Sequence, residues 1–430
     1  MRMEFKKLSL AIACSMSLFM AGCNNGDDNN SNYNTSNYVS EIVYKYELLD
    51  EAASIKTMTY MMDSVQNKKV KATAMVMFPK VAAPLGGYKT VVWLHGTLGV
   101  GDGCAPTNNV LGPRFKDPLA KSLLAAGYVI VAPDYEGLGT PGIHPYLDIP
   151  SEAKSALFAV QAAQSHYGAQ LSKSWMSIGQ SQGGQASLGV AEFANTDVNY
   201  KGAVAGAPAS SLDKIIFDVA PSALAAAEQK EIENNVPLSY RASNGSIGAY
   251  ATLLSYAAFA AVGVKASDPR FDYREIFAAT RSQMIAELAE GTTGENGLCL
   301  DSQEPVNAPQ DSLRYRFAQD IVQFLTDNPN AKLNDYPGLD QAKFKNSLEI
   351  QKFLALSQPG TKKIDKPILI IQGTADMSVP FPVTQELYTS MKKLGSNVEL
   401  LPVVGASHTE AIVRENQAAV DFIQKYMPAK

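Results

Sequence analysis

Residues 179–183 carry the clearest chemical signal in this chain of 430 amino acids. They read Gly-Gln-Ser-Gln-Gly, so Ser181 stands between two glycines, after the apolar stretch 175–178 and before a run of small residues. A strand, a sharp turn and a helix in this order expose a serine hydroxyl as a nucleophile. The glycines suit such a turn because Cβ atoms there would collide with the neighbouring backbone. The pattern indicates catalysis only if a general base and an acid can reach the serine.

The general base can be sought by elimination, because the chain contains four histidines. His166 falls in a predicted helix, His144 in a proline-flanked loop, and His95 at the end of an apolar strand. Only His408 follows Ser181 in the chain, in a loop between the last predicted strand and the last predicted helix. It alone fits the order serine, acid, histidine that accompanies this kind of turn. We therefore predict His408 as the base.

The acid is expected in a loop after a strand that lies between the serine and the histidine. Asp376 meets this condition, because it follows the apolar stretch 367–372 within the loop 373–380. A carboxylate in this position orients the imidazole and stabilises its charged form. The alternative is a turn aspartate without a catalytic role, since Asp is common in glycine-rich loops. The interval between Asp376 and His408 fits one helix and one strand, which favours the catalytic interpretation.

An oxyanion hole needs backbone N–H groups that converge on one oxygen. The residue after the nucleophile, Gln182, supplies one of them in this type of turn. We assign the second to Thr97, in the glycine-rich loop 95–104 that follows an apolar strand. Such a loop can approach a ligand closely because few side chains stand in the way. His95 is then expected to shape this loop rather than to transfer a proton.

The elements that position these residues follow from apolar runs along the chain. Short continuous runs are typical of strands that are buried on both faces of a sheet. We predict an antiparallel pair of strands and six further strands, at 55–63, 70–78, 90–94, 128–132, 175–178, 202–206, 367–372 and 398–403. Helical spacing covers residues 118–126, 152–166 and 411–427. This order predicts an α/β fold with a mostly parallel central sheet and helices on both faces.

Residues 211–366 interrupt the alternation, because they contain no comparable buried strand. Helical spacing recurs there instead, over residues 221–233, 248–262, 273–290 and 312–325. We predict a helical cap inserted between two parts of the core, 41–210 and 367–430. The chain leaves and rejoins the core at strand ends on the side of the predicted site, which favours a cap over that site. The alternative is a second domain with no role in the site.

The N-terminus reads as a targeting segment. The first seven residues carry three basic side chains, and residues 8–20 are apolar. This stretch is too short to span a bilayer comfortably, so residues 1–22 are predicted to be a signal peptide. Cys23 follows Ala-Gly and resembles the lipid-modified cysteine of bacterial lipoproteins. We expect a bacterial cell-envelope protein anchored to a membrane through this lipid, and by the same resemblance Asn24 favours the outer membrane. The alternative is a secreted protein with an incidental cysteine.

Asparagine dominates the segment that follows, residues 23–40. Such a segment cannot bury enough apolar surface to fold. We predict a disordered tether between the lipid anchor and the globular body.

Cysteine usage then leaves one pair in the body of the protein. Of the four cysteines, Cys14 is removed with the signal peptide and Cys23 receives the lipid. Cys104 and Cys299 remain, and an even pair in an oxidising compartment predicts a disulfide. The alternative is two buried free thiols.

Several other functions are disfavoured by composition and motif context. The formal net charge of −5 argues against a nucleic-acid binder, for which a basic surface is expected. Residues 137–142 match G-x-G-x-x-G, but three nearby prolines keep the segment extended where a dinucleotide site needs a helix. The chain has no metal-binding motif, P-loop or C-x-x-C. We expect neither a cofactor nor a metal.

Three stretches together resemble the secretory lipase family of bacterial and fungal α/β-hydrolases. They read HGTLGVGDGCAP at 95–106, APDYEGLGTPGIHPYL at 132–147 and GQSQGG at 179–184. The resemblance extends over about residues 50–430, and it implies the α/β-hydrolase fold with a helical cap after the sixth strand. It also implies that Asp134 and Tyr135 support the site.

The activity that the resemblance implies is hydrolysis of small-molecule carboxylic esters through an acyl-enzyme intermediate. Fungal members carry further sequence after the catalytic histidine, forming a flap, whereas only the predicted closing helix follows His408 here. Polar or short-chain esters are therefore as compatible with the sequence as triacylglycerol. Two alternatives stay open: an amidase or peptidase with the same triad, and a non-catalytic surface lipoprotein on a hydrolase scaffold.

Overall fold

A single mixed sheet organises the protein. The structure is a computed structural model and describes residues 36–303 and 311–430. In these residues nine strands pair in the order β1-β2-β3-β5-β4-β6-β7-β8-β9. The strands are β1 Tyr38–Val43, β2 Ala52–Asp63, β3 Lys69–Pro79, β4 Tyr88–Leu94, β5 Val129–Pro133, β6 Leu171–Gln180, β7 Tyr200–Gly206, β8 Ile368–Gly373 and β9 Val398–Val403.

Strand direction divides the sheet into two parts. β1, β2, β3 and β5 pair antiparallel with one another, whereas every pairing from β5 through β4 to β9 is parallel. All residues of β5 and β8 are buried, as expected of parallel strands that helices cover on both faces. The predicted mostly parallel sheet is confirmed.

Helices occupy both faces of this sheet and the segment between β7 and β8. The α-helices are α1 Pro113–Lys116, α2 Pro118–Ala126, α3 Ile149–Tyr167, α4 Gln182–Phe193, α5 Leu212–Lys214, α6 Ala220–Glu233, α7 Leu238–Asn244, α8 Ser246–Ser267, α9 Thr280–Glu290, α10 Leu313–Asp327, α11 Gln341–Asn346, α12 Leu348–Leu356, α13 Phe381–Lys393, α14 Glu410–Arg414 and α15 Asn416–Tyr426. A π-helical turn covers Ile215–Val219, and short 3₁₀ turns cover Asp102–Cys104, Pro106–Asn108, Gly168–Gln170, Tyr273–Ile276 and Leu333–Asp335.

Two hydrophobic cores lie on opposite faces of β4. Val91 and Trp93 pack in the core that includes α2 and α15, whereas Val92 and Leu94 pack in the core that includes α3, α4 and α13. Successive side chains of a strand point to opposite faces, so alternate residues of one apolar run serve both cores. Helical layers on both faces therefore hold β4 in place. They also fix the start of the loop that follows β4.

The helices α5 to α12 form the cap and have a core of their own, built around Phe259, Phe277 and Phe317. The long helix α8 is apolar enough to cross a membrane by length and composition, but 72% of its most apolar stretch is buried inside the protein. It is therefore the central helix of the cap. The predicted helix over 273–290 is wrong in one respect, because the main chain breaks at Phe277, which forms a β-bridge with Leu339.

Of the predictions for the N-terminal segment, the structure tests only the end of the predicted tether. Residues 1–22, Cys23 and the first part of the predicted tether lie outside the described residues. The predicted tether of 23–40 is too long, because β1 begins at Tyr38 and pairs with β2. The Tyr38 ring stacks on His166 of α3 with centroids 3.8 Å apart, which adds an aromatic contact to the pairing of β1 with β2.

A disulfide joins Cys104, in the loop after β4, to Cys299 in the cap. The pairing predicted from the cysteine count is confirmed. Both cysteines are fully buried and pack with Ala105 and Leu138. The bond closes a loop of 195 residues, for which the chain-entropy model gives a stabilisation of about 5 kcal/mol as an upper value.

Removing this disulfide is expected to destabilise the protein. We expect the double variant Cys104→Ser, Cys299→Ser to lose about 2–5 kcal/mol of unfolding free energy, because the unfolded chain regains the freedom of a long loop. Guanidinium unfolding of the wild type with and without a thiol reductant, beside the double variant, measures the loss. Non-reducing peptide mapping that finds both thiols free would contradict the assignment.

Candidate active site

Ser181 lies in a strained turn between β6 and α4. Its backbone has φ 62° and ψ −121°, a positive φ that is uncommon for a residue with a side chain. The Ser181 amide donates a hydrogen bond to the Gly206 carbonyl at 2.9 Å. A Cβ on Gly183 would lie 1.9 Å from the Leu94 carbonyl oxygen, and one on Gly179 would lie 2.2 Å from the Gly183 oxygen. Both flanking glycines are therefore required by backbone contact.

The structure brings the three predicted triad residues together. The Ser181 hydroxyl lies 2.9 Å from Nε2 of His408, and Nδ1 of His408 lies 2.8 Å from Oδ2 of Asp376. These contacts fit a neutral imidazole that donates Nδ1–H to the carboxylate and accepts the serine proton at Nε2. The Asp376 side chain is fully buried, and that of His408 is 14% exposed. The carboxylate is thus shielded while the imidazole faces the site.

Two glutamines hold the triad in place, and sequence reasoning missed both. Gln372 is the last-but-one residue of β8, and its Nε2 donates to Oδ2 of Asp376 at 2.9 Å. Gln180 precedes the nucleophile, and its Nε2 donates to the main-chain carbonyl of His408 at 3.0 Å. A polar residue at the end of an otherwise apolar strand, as in 367–372, was the available signal for Gln372.

Backbone amides complete the support of the acid. The main-chain N–H groups of Ser378 and Val379 each donate to Oδ1 of Asp376 at 2.9 Å. Together with Gln372 and His408, these donors engage both carboxylate oxygens. They fix the orientation of Asp376 and hence that of the imidazole.

Thr97 and Gln182, the predicted oxyanion donors, line the same cavity as Ser181. Gln182 is the first residue of α4, so its amide has no acceptor within the helix. The N-terminus of a helix also favours negative charge. The Thr97 hydroxyl and the Tyr146 hydroxyl share a hydrogen bond at 2.6 Å. Both residues thus line the cavity that Ser181 lines, Thr97 from the loop after β4 and Gln182 from the start of α4.

His95 and Tyr135 support the Thr97 loop rather than the proton transfer. Nδ1 of His95 lies 2.8 Å from the Gly96 oxygen, and its Nε2 lies 3.2 Å from the Asp134 oxygen. The Tyr135 hydroxyl donates to the His95 carbonyl at 3.0 Å. Burial lowers the pKa of His95, and the hydrogen bonds to the Gly96 and Asp134 carbonyls oppose this shift. These contacts place His95 in a loop-shaping position.

Asp134 ties the loop after β4 to β3. It accepts hydrogen bonds from the Thr73 hydroxyl at 2.6 Å, from the Thr107 amide at 3.1 Å and from the Thr107 hydroxyl. Burial raises the pKa of its carboxyl to about 7, and the three donors oppose this shift only in part. Asp134 therefore acts on the geometry of the loop, at a distance from the serine.

A cavity of about 590 Å³ adjoins Ser181 and extends between the core and the cap. Its walls are mainly aliphatic and come from the cap, with a few polar groups from the segment 334–341. The aliphatic cap residues include Leu212, Ile215, Ile216, Leu224, Leu253, Leu254, Ala257 and Ala260. In the part of the chain that the structure describes, no three His, Cys, Asp or Glu side chains are grouped to hold a metal ion.

Solved structures of known proteins share this fold. A hydrolase of Legionella pneumophila, described as putative in its own report, matches with a TM-score of 0.63 and 16% identity over 90% of this chain and 98% of that one. LipA of Xanthomonas oryzae, a rice cell wall degrading esterase, matches with a TM-score of 0.57 and 17% identity over 91% and 96%. Candida antarctica lipase A in its closed state matches with a TM-score of 0.60 and 16% identity over 91% and 82%.

Sequence comparison adds one local match. The prolyl oligopeptidase family profile matches residues 326–429, which include Asp376 and His408. No curated protein sequence matches the chain. The protein has the α/β-hydrolase fold, as the resemblance of its motifs implied, with a serine, a histidine and an aspartate assembled after the ends of three parallel strands.

The buried carboxyl of Asp134 makes a pH-dependent contribution to stability that a substitution can isolate. Its pKa is about 7 in the folded protein, against about 3.9 in an unfolded chain. As the pH rises between these values, the unfolded chain ionises before the folded one, so wild-type stability falls. Asparagine keeps an oxygen acceptor and does not ionise.

We expect the stability of Asp134→Asn relative to wild type to rise by about 4 kcal/mol from about pH 4 to about pH 8. Urea unfolding across this range measures the difference. Asp50→Asn, at an exposed aspartate, is the matched control. A relative stability of Asp134→Asn that stays constant over the range would contradict the assignment.

Proposed function

We propose that this protein is a serine carboxylic-ester hydrolase of the lipase or esterase type. The observation that carries the proposal is the hydrogen-bonded series Asp376, His408, Ser181, which ends at a largely aliphatic cavity. A triad can act on several acyl compounds, so the cavity beside it decides the substrate class. The lipase and the esterase among the structural neighbours agree with this choice.

In the proposed reaction, Oγ of Ser181 attacks the ester carbonyl carbon while Nε2 of His408 takes the hydroxyl proton. Asp376 stabilises the imidazolium that forms. The carbonyl oxygen becomes an oxyanion and accepts hydrogen bonds from the Thr97 and Gln182 amides. The tetrahedral intermediate expels the alcohol, which receives the proton from His408. Water then attacks the acyl-enzyme in the same way and releases the acid and the free serine.

The acyl chain of the ester is assigned to the cavity under the cap. Each methylene that leaves water for an aliphatic wall contributes about 0.8 kcal/mol. The walls that α6 and α8 contribute can shield several methylenes of an acyl chain from water. This contact favours the binding of an ester with an apolar acyl group. The oxygen atoms of the ester lie at the serine end, where the amides of the loops are.

An amidase or peptidase is the second candidate, because the prolyl oligopeptidase profile matches the part of the chain that holds the acid and the base. A bound peptide brings backbone N–H and C=O groups that need partners when they are buried. Among the described residues, Asp340 is the one carboxylate side chain that lines the cavity, and most of the remaining wall is aliphatic. The site therefore suits an acyl chain better than a peptide. Comparison of p-nitrophenyl esters with p-nitroanilides separates the two functions.

Covalent labelling tests the nucleophile. We expect a fluorophosphonate probe to label wild type on Ser181, and Ser181→Ala to lose both the label and at least about 10⁴-fold in kcat/KM for p-nitrophenyl esters. Ser243→Ala, at an exposed serine of the cap, is the matched control and keeps both. A folded wild-type protein that neither takes the label nor hydrolyses esters would rule out the proposal. That result would support the alternative of a non-catalytic protein on a hydrolase scaffold.

Acyl-chain selectivity tests the cavity. Leu224 of α6 lines it and is buried, so Leu224→Trp shortens the space available for a chain. We expect kcat/KM for p-nitrophenyl decanoate to fall about 10-fold or more, since binding of several methylenes is lost, while the value for the acetate changes little. Leu288→Trp, at an exposed leucine outside the cavity, is the control. Equal losses for both esters would place the acyl group elsewhere.

A further inference from the structure

Behind the predicted oxyanion donors lies a buried polar cluster that the proposed reaction does not use. Its centre is Glu152, near the N-terminus of α3 and fully buried. Oε1 of Glu152 accepts a hydrogen bond from Nε2 of Gln182 at 2.7 Å and one from the main-chain N–H of Leu147 at 3.2 Å. One carboxyl oxygen therefore holds the residue after Ser181 and the loop before α3.

The same loop also reaches the other predicted donor. Tyr146 directly precedes Leu147, and its hydroxyl shares the 2.6 Å hydrogen bond with the hydroxyl of Thr97. The Tyr146 ring is buried and packs edge-on against Phe259 of the cap, with centroids 5.9 Å apart. The segment 146–152 thus connects Thr97 on one side with Gln182 on the other.

His144 fixes the Gln182 side chain from a second direction. Nδ1 of His144 lies 2.9 Å from the Glu136 carbonyl oxygen, so it carries the ring proton and donates it. Nε2 is then an acceptor, and it lies 3.2 Å from Nε2 of Gln182. Burial lowers the pKa of His144 to about 3, so this arrangement persists in neutral solution. The Gln182 amide group donates to both Glu152 and His144 and has one orientation.

The cluster is unfavourable for stability in three ways at once. Within the described residues, Oε2 of Glu152 is buried without a hydrogen-bond partner, and a buried polar atom left unpaired costs about 1–3 kcal/mol. Burial also raises the pKa of the Glu152 carboxyl to about 8. Leu147 has φ 59°, a strained value for a residue with a branched side chain. Such local violations concentrate at functional sites.

We propose that Glu152 and Tyr146 are positioning residues that hold the two oxyanion donors, Gln182 and Thr97, at a fixed separation. The proposal rests on the proposed ester hydrolysis. It names the residues that keep the two oxyanion donors of that reaction in position. The two donor amides lie on loops after different strands, β4 and β6, and must converge within hydrogen-bond distance of one oxygen. The segment 146–152 supplies side-chain contacts to both loops.

The experiment compares Glu152→Leu with Glu152→Gln. Leucine removes the acceptor shared by Gln182 and Leu147, whereas glutamine keeps an oxygen that can accept both hydrogen bonds. We expect Glu152→Leu to lower kcat for p-nitrophenyl butyrate about 10–100-fold with KM within about twofold, because the lost contact acts in the transition state. For Glu152→Gln we expect kcat within about threefold of the wild-type value, because glutamine keeps the acceptor oxygen.

A transition-state analogue separates positioning from general loss of structure. A trifluoromethyl ketone forms a tetrahedral adduct whose oxygen occupies the oxyanion site, so its affinity should fall by the same factor as kcat/KM in Glu152→Leu. The matched control is Glu192→Leu at the far end of α4, because Glu192 accepts two main-chain N–H bonds, from Gly360 at 2.7 Å and Thr361 at 3.1 Å. That variant should lower the melting temperature while kcat per labelled site stays unchanged.

The outcomes distinguish the two proposals. An active wild type whose folded Glu152→Leu variant keeps kcat and inhibitor affinity overturns the positioning role alone, and so does a Glu152→Gln variant as impaired as Glu152→Leu. A folded wild type that neither hydrolyses esters nor takes the fluorophosphonate label overturns the proposed function instead.

If Glu152→Leu does not fold, the variants Tyr146→Phe and Thr97→Val test the proposal at the other end of the segment 146–152. Each removes one hydroxyl of the shared hydrogen bond and leaves the Thr97 amide intact. We expect each variant to lower kcat several-fold and the double variant to be no worse than either one, since both break the same contact. Additive losses, or no loss in kcat, would overturn the proposal.

Discussion

The close packing of Gly183 against the carbonyl of Leu94 is the contact on which the rest of the site depends. A Cβ at this glycine would overlap the oxygen atom at 1.9 Å, so the first turn of α4 meets the end of β4 without any side chain between them. That contact brings three things to one place: the strained Ser181, the N-terminus of α4 and the loop that carries Thr97. The strain of a positive φ at a serine, about 1–3 kcal/mol, persists because the turn is enclosed by β4, β7 and the helix. The Ser181 side chain is thus presented by a backbone that cannot relax.

The register of the parallel strands extends this local geometry to the acid and the base. Gln180 pairs with Gly206, Gly206 with Ile371, and Gly373 with Val403, so the carboxyl ends of β6, β7, β8 and β9 form one edge. Asp376 and His408 stand a few residues beyond that edge and reach each other across loops. Ser181 and His408 are 227 positions apart in the chain. Their contact therefore exists only after the whole sheet, including the strands that follow the cap, has formed.

Chain order was enough to predict the site residues that follow strands of the sheet. It was not enough to predict residues whose role depends on contacts between neighbouring loops. Ser181, Asp376 and His408 each come directly after an apolar strand, so chain order was enough to select them, and the structure brings them together. Their catalytic role stays a prediction. Gln180 and Glu152 could not be selected, because what they touch depends on which loops lie side by side, and no period or motif encodes that; for Gln372 only its polar side chain at the end of an apolar strand was a signal. The same limit applies to β1, where pairing with β2 and the ring stack between Tyr38 and His166 extend the fold into a segment that composition marked as unfolded.

The cap and the loop after β4 are physically coupled. The Cys104–Cys299 disulfide bonds the loop after β4 to the cap, and beside it the amide of Leu300 donates to the carbonyl of Leu98 at 2.7 Å, one residue from Thr97. Gly99 belongs to this junction, because a Cβ there would lie 2.6 Å from the Cys104 sulfur. Tyr146 meets the same loop from the other side and packs on Phe259 of α8. The cap walls of the cavity and the loop that carries Thr97 therefore belong to one connected unit. A movement of the cap that enlarged the cavity would have to pivot about this junction or disturb Thr97, so selectivity and rate are expected to change together when the junction is altered.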